Sequence, residues 1–190
     1  MQKEQVNSVA QRSQRAIADA FLSLIRERDF EEISVTEICK RADVVRKTFY
    51  NRFPTKDALV RFLIEDFTGG LESMVDLTQM SVKEMLIIAF KVVLENREML
   101  LLFHERGLFR FAHQSISDYI ERSNLLSGLP QTSLDERMHP YIAALISAVL
   151  VSVIETWIAR GMEEPVEFLA DLTENLMFSP NSVFLHTANG

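Results

Sequence analysis

Apolar residues recur along this chain at steps of three and four, and no stretch alternates over the length of a strand. Ile17, Ala20, Phe21, Leu24 and Ile25 fall at i, i+3, i+4, i+7 and i+8, the single buried stripe of a first helix. The polar break Asp29-Phe30-Glu31-Glu32 ends it. Ser34 followed three positions later by Glu37 reads as a capping box opening a second helix, with Val35, Ile38, Cys39 and Ala42 inward. A three-residue connection, Asp43-Val44-Val45, leads to a third helix of about seven or eight residues, pinned by Phe49 and Phe53 one turn apart. Thr55 is placed to cap a fourth helix, which turns Leu59, Phe62, Leu63 and Phe67 inward and stops near Gly69-Gly70 or slightly beyond.

The same spacing continues further on. Residues 81–95 form a helix with Met85, Ile88, Ala89 and Val92 inward, and residues 99–110 are apolar with an interruption at Gly107. Residues 112–126 read as a helix and 131–137 as a polar loop. A long apolar helix over 141–160 is stopped by Gly161, and Pro165 opens a last helix with Phe168, Leu169, Leu172 and Leu176 inward. From about residue 179 the pattern gives a frayed tail. The predicted fold is all-α. A three-helix helix-turn-helix head over 1–62 is joined by a continuous helix to a helical body over 63–190.

Charge changes the picture more than composition does. Hydrophobic residues make up 47% of the 190, ample for a packed core, and the net charge of −7 by itself argues against nucleic acid. The head, however, carries 12 Lys and Arg against 9 Asp and Glu, and the body 8 against 18. A basic head on an acidic body orients a molecule on a polyanion. The single cysteine excludes an internal disulfide and suits a reducing cytoplasm; Cys39 falls on the buried stripe of the second helix. The first residues lack the apolar core of a signal peptide. Residues 138–154 carry no formal charge and reach the lower limit of a membrane span, roughly 17 residues. His139, Pro140, Ser147 and Ser152 within that stretch favour a helix buried in protein instead, with no membrane partner. No Gly-rich phosphate loop, zinc-protease His pair or nucleophile elbow is present, and the four histidines share no helical face. Neither an enzyme, a metal site nor a cofactor is expected.

The candidate chemistry lies in the third helix. With Phe49 and Phe53 inward, Arg46 pairs with Tyr50 and Lys47 with Asn51 at i, i+4 on the outside, presenting cations, a phenol and a carboxamide. These are the groups that bond phosphates and base edges. The run from Ser34 to Phe53, SVTEICKRADVVRKTFYNRF, resembles the DNA-binding domain of the TetR family of bacterial transcriptional regulators, whose pattern is roughly T-V-x-x-I-A-x-x-A-G-V-S-x-x-T-F-Y-x-x-F with a following Lys, here Lys56. The resemblance covers about residues 12–65. It implies that Arg46, Lys47, Thr48 and Asn51 approach base edges or flanking phosphates, and that Ser34, Thr36, Tyr50, Arg52 and Lys56 mostly clamp phosphates. Two positions depart from the family. Asp43 stands where Gly is usual, in a turn that often needs positive φ, which Asp tolerates. Val45 stands where Ser or Thr usually caps the helix, a loss of about 0.5–2 kcal/mol. The helix is then frayed until a phosphate approaches its first residues, Val45 among them.

In the body, Ala143, Ala144, Ser147, Ala148, Val151 and Ser152 supply small residues along a helix apolar on more than one side, and the second side wants a partner. The resemblance implies a four-helix dimer interface from the last two helices of each subunit, here Ala144, Ser147, Ala148, Val151, Ser152, Phe168, Leu172 and Leu176. It also implies a small-molecule pocket among the central helices, where Phe90, Met99, Phe103, His104, Phe109, His113, Tyr119, Glu155 and Trp157 gather. The function implied is a cytoplasmic homodimeric regulator, a repressor in the commoner mode of the family. It would bind a palindromic double-stranded operator under control of a small-molecule effector. A second reading is a TetR-like protein-interaction module or co-regulator that has lost direct DNA binding.

Overall fold

A computed structural model describes the backbone of residues 2–74, 80–123 and 135–178, and side chains within 10–67, 80–123 and 135–177. Among these residues every regular element is helical. Contacts divide the chain into two compact units, Met1–Leu63 and Ile64–Gly190. The expected tail from 179, and residues 124–134 between two body helices, lie outside the described residues.

The first unit contains α1 (Gln2–Glu27), α2 (Val35–Arg41), α3 (Arg46–Tyr50) and the start of α4 (Lys56–Met74). Ile17, Ala20, Phe21, Leu24 and Ile25 are all buried, as the stripe on α1 requires, and so are Ile38, Cys39, Phe49, Phe53, Leu59 and Leu63; α1 packs on α2 and α3. Val35, Ala42 and Phe62 are only half-buried. The break after α1 is not wholly polar. Phe30 begins a short 3-10 turn (Phe30–Glu32) and is buried, its ring edge-on to Phe21 at 6.1 Å. Burial also pushes the Cys39 thiol above its ordinary pKa, which fits a small core residue.

Caps define the ends. Ser34 Oγ accepts from the Glu37 backbone N–H at 3.2 Å, while Glu37 Oε2 accepts from the Ser34 N–H at 2.9 Å and from its hydroxyl at 2.7 Å. The α2 C-terminus closes as a Schellman turn: the Val44 N–H reaches Cys39 O at 3.0 Å, and Asp43 carries φ +51°. Asp43 thus occupies the left-handed position the sequence assigned to it. α3 is shorter than predicted, five residues. Its first turn has no side-chain cap; Val45 O accepts from the Thr48 N–H at 2.8 Å and from the Phe49 N–H at 3.4 Å. Thr55 Oγ1 caps α4 through the Ala58 N–H at 3.1 Å, and α4 continues past both glycines to Met74.

The second unit adds α5 (Val82–Glu95), α6 (Arg97–Glu105), α7 (Ala112–Arg122), α8 (His139–Ala159) and α9 (Val166–Phe178). α8 packs mainly on α7, and α9 on α5. A second capping box, Ser81 with Glu84, opens α5. Gly107 at φ +63° separates α6 from a 3-10 turn over Leu108–Phe111. Gly161 at φ +85° ends α8, with the Met162 N–H on Trp157 O at 2.9 Å. Two helical phases differ from expectation. On α5 the buried residues are Leu86, Phe90 and Val93, with Met85, Ile88, Ala89 and Val92 half-buried. On α9, Leu169, Ala170, Thr173 and Met177 are buried, whereas Phe168, Leu172 and Leu176 are exposed. Both helices are apolar on more than one side, so spacing alone left their rotation open.

Candidate nucleic-acid interface and effector cavity

In the first unit, Phe49 and Phe53 lie in the core with ring centroids 5.7 Å apart, and Phe53 continues to Phe62 at 5.4 Å. Burying two such rings contributes about 3–6 kcal/mol in all, enough to hold so short a helix against the unit. With both rings inward, α3 and the turn after it carry Arg46, Lys47, Tyr50, Asn51 and Arg52 outward, all exposed, and leave Thr48 half-buried. Arg46 stands over the Tyr50 ring, its Cζ 5.8 Å from the centroid and its Nη2 donating weakly to the phenol oxygen at 3.5 Å. Lys47 and Arg52 have no side-chain partner among the described residues. Nearby cations differ. Arg41 donates to Glu27 at 2.9 and 3.2 Å and to Ser23 Oγ at 2.6 Å, and Arg28 lies 2.8 Å from Glu37. Arg46, Lys47 and Arg52 thus present three exposed cations on and just after α3 that no acidic side chain among the described residues is shown to pair.

Two of the expected phosphate clamps are engaged elsewhere. Lys56 is half-buried. Its ammonium donates to Phe30 O and, at 2.8 Å, to Ile33 O, and sits 4.0 Å from the centroid of the Phe30 ring. It ties the start of α4 to the segment between α1 and α2, which is a structural role. Ser34 is exposed, but its hydroxyl is held by Glu37. Thr36 is exposed without a side-chain partner among the described residues. Val45 is 68% exposed and gives α3 no side-chain cap.

The second unit separates the expected ligand residues. Met99, Phe103 and Phe109 line a cavity of about 40 Å³ with Ile64, Leu108, Ala112 and Val151, and every lining side chain is apolar. None of the other six lines it. Phe90 packs edge-on to Trp157 at 6.0 Å, and the Trp157 indole N–H donates to Glu164 O at 3.1 Å. His104 is exposed against Phe109, and Glu155 is half-buried. Tyr119 packs on the Ile120–Ala143 cluster. His113 offers its backbone carbonyl to Ser147 Oγ at 3.0 Å. Choosing aromatics with polar atoms favoured residues that finish the core, and missed Ile64, Leu108 and Val151, whose convergence exists only in the folded unit.

The expected dimer residues also separate. α8 has two apolar faces, not one buried circumference: only 28% of its most apolar window is buried within the subunit. Ala143, Ser147, Val151 and Ile158 face inward, so Ser147 and Val151 belong to the subunit core. Tyr141, Leu145, Ala144, Ala148 and Ser152 face outward. Of these, Ala148 and Ser152 border, with Phe168 and Leu172 of α9, an open groove of about 590 Å³ whose lining includes Val149, Val153 and Thr156. Tyr141, 74% exposed, and Leu145 were not anticipated, although the series 141, 145, 148, 152 has the required helical spacing.

Comparison with known proteins matches residues 17–62 to the family described as bacterial regulatory proteins, tetR family, and residues 81–179 to a transcriptional regulator C-terminal region. The HTH-type dhaKLM operon transcriptional activator DhaS of Lactococcus lactis subsp. lactis (strain IL1403) is 35% identical over 54 residues, covering 28% of this chain and 29% of that protein. The match thus spans less than a third of that relative's length. A putative TetR-family transcriptional regulator from Syntrophomonas wolfei str. Goettingen superposes over 87% of this chain and 95% of its own, with a TM-score of 0.61 and 21% identity. A structure of the dihydroxyacetone kinase operon activator DhaS covers 86% and 93%, with a TM-score of 0.53 and 21% identity. At these identities the two structures establish the fold.

Proposed function

This chain belongs to the TetR family of bacterial transcriptional regulators, and on that premise we propose that its first unit reads double-stranded DNA through α3 while two copies pair through α8 and α9. The carrying observation is the outer side of α3. Arg46, Lys47, Asn51 and Arg52 are exposed there on a helix fixed from behind by Phe49 and Phe53. Arg46, Lys47, Thr48 and Asn51 approach base edges, and Tyr50, Arg52 and Thr36 hold phosphates. A two-fold dimer then calls for a palindromic operator with half-sites one helical turn apart, ~34–36 Å. The exposed apolar residues of α8 and α9 support the pairing.

Effector control rests on the all-apolar cavity. At about 40 Å³ it is well below the ~300 Å³ at which drug-sized sites begin, so an effector enters by moving Met99 and the neighbouring rings. Such a ligand shifts the balance of states only by its differential affinity for them. The protein acts in the cytoplasm, where its DNA is. Repression is the mode carried over from the family resemblance, while the relative that is 35% identical over 54 residues is named an activator; a reporter driven from the operator gives the sign.

The test is selection of bound sequences from a random DNA pool by purified protein at low salt. An enriched palindrome is the expected result. Folded protein that enriches nothing, with or without a bound effector, overturns the DNA reading in favour of the partner-docking module.

A further inference from the structure

Within residues 10–63, only two large apolar side chains other than proline are exposed, Val45 and Tyr50, and both lie at α3. A single exposed valine on a protein surface is ordinary. Here two features set it apart. Val45 occupies the residue before α3, where a hydroxyl or carboxylate would hydrogen-bond the first turn, and it supplies no such bond. It also stands next to Arg46 and Lys47, exposed cations on the helix assigned to DNA. Tyr50 is partly covered by the Arg46 guanidinium and is 46% exposed, whereas Val45 is 68% exposed. An isopropyl group flanked by cations matches a polyanion that presents apolar groups of its own. In the major groove the apolar group on a base edge is the C5-methyl of thymine, and residues at the start of a recognition helix are the ones that reach base edges.

We propose that Val45 is a specificity-determining residue that reads a thymine methyl in each half-site of the operator. This rests on the DNA-binding reading above. The valine exchanges a helix cap, which would serve any sequence equally, for a contact that only thymine among the unmodified bases returns.

The experiment uses full-length protein and the operator recovered by selection, with each thymine replaced in turn by deoxyuridine, which keeps the pairing and removes only the methyl. The expected result is one thymine per half-site at which the replacement weakens wild-type binding about fourfold, the equivalent of one buried methyl-sized group. Val45→Ala removes both γ-methyls and leaves only the shorter β-methyl, so it should bring the thymine-over-uracil preference below about twofold. Val45→Ser should likewise lose the discrimination while restoring a cap. Melting temperatures report whether each variant remains folded, which an exposed position permits. If wild-type protein binds every uracil operator as tightly as the parent, or if Val45→Ala keeps the penalty, the proposal falls and the DNA reading stands. If no DNA is enriched at all, both fall.

Discussion

Lys56 shows how a charge can look available and be committed. Its ammonium joins Phe30 O, Ile33 O and the face of the Phe30 ring, so it holds the segment between α1 and α2 against the start of α4. Lys56→Met keeps the stem and removes the donors, leaving two carbonyls without their partner. We expect a loss of about 2 kcal/mol of stability, seen as a lower melting temperature. DNA affinity of the folded variant should stay within about twofold of wild type. Unchanged melting with strongly reduced affinity would return Lys56 to the phosphate contacts. Nothing in the spacing of the chain discloses this role, because the two carbonyls lie 26 and 23 residues away. Phe49, Phe53 and the stripe on α1 were legible for the opposite reason. In so small a unit one face of each helix faces the core, and periodicity names it.

The elements are positioned as much by their ends as by their faces, and α2 is the clearest case. The Glu37 carboxyl is held down to about 2, from an ordinary value near 4.5, first by the Ser34 backbone N–H, then by the Ser34 hydroxyl and the Arg28 guanidinium. A carboxylate with a depressed folded pKa contributes stability that is complete above about 4.5 and disappears as pH falls toward 2. Thermal melts of wild type and Glu37→Gln should therefore differ most at pH 5 and above, and converge as pH approaches 2. A gap that persists at low pH would mean that the carboxylate charge is not what matters. The Ser-x-x-Glu pairs that open α2 and α5 were readable directly, since a capping box is a local pattern. The rotations of α5 and α9 were not, since Phe168, Leu172 and Leu176 are as apolar as the residues that are buried.

For the whole molecule, the question is what covers α8 and α9. Phe168, 54% exposed, borders a groove with Ala148, Ser152 and Leu172, and Leu145 lies on the same outward side of α8. Leu145→Glu and Phe168→Glu should each weaken self-association about 30-fold or more, the effect of losing a 2 kcal/mol anchor, read by sedimentation velocity across a dilution series. Val151→Ala is the contrast. It enlarges the inner cavity, so it should lower the melting temperature and leave the association constant in place. If Val151→Ala dissociates the protein and the glutamate variants do not, the two sides of α8 have been assigned the wrong way round.

If α8 is finished on one side by its own subunit and on the other by a second copy, as proposed, abundance becomes a physical variable. Folding and pairing then share one free energy, and the stability of the second unit rises with the number of chains in the cell. A scarce regulator of this design keeps a fraction of single subunits with one DNA-reading unit each. Lowering its expression would blunt its response to the operator more steeply than simple occupancy predicts.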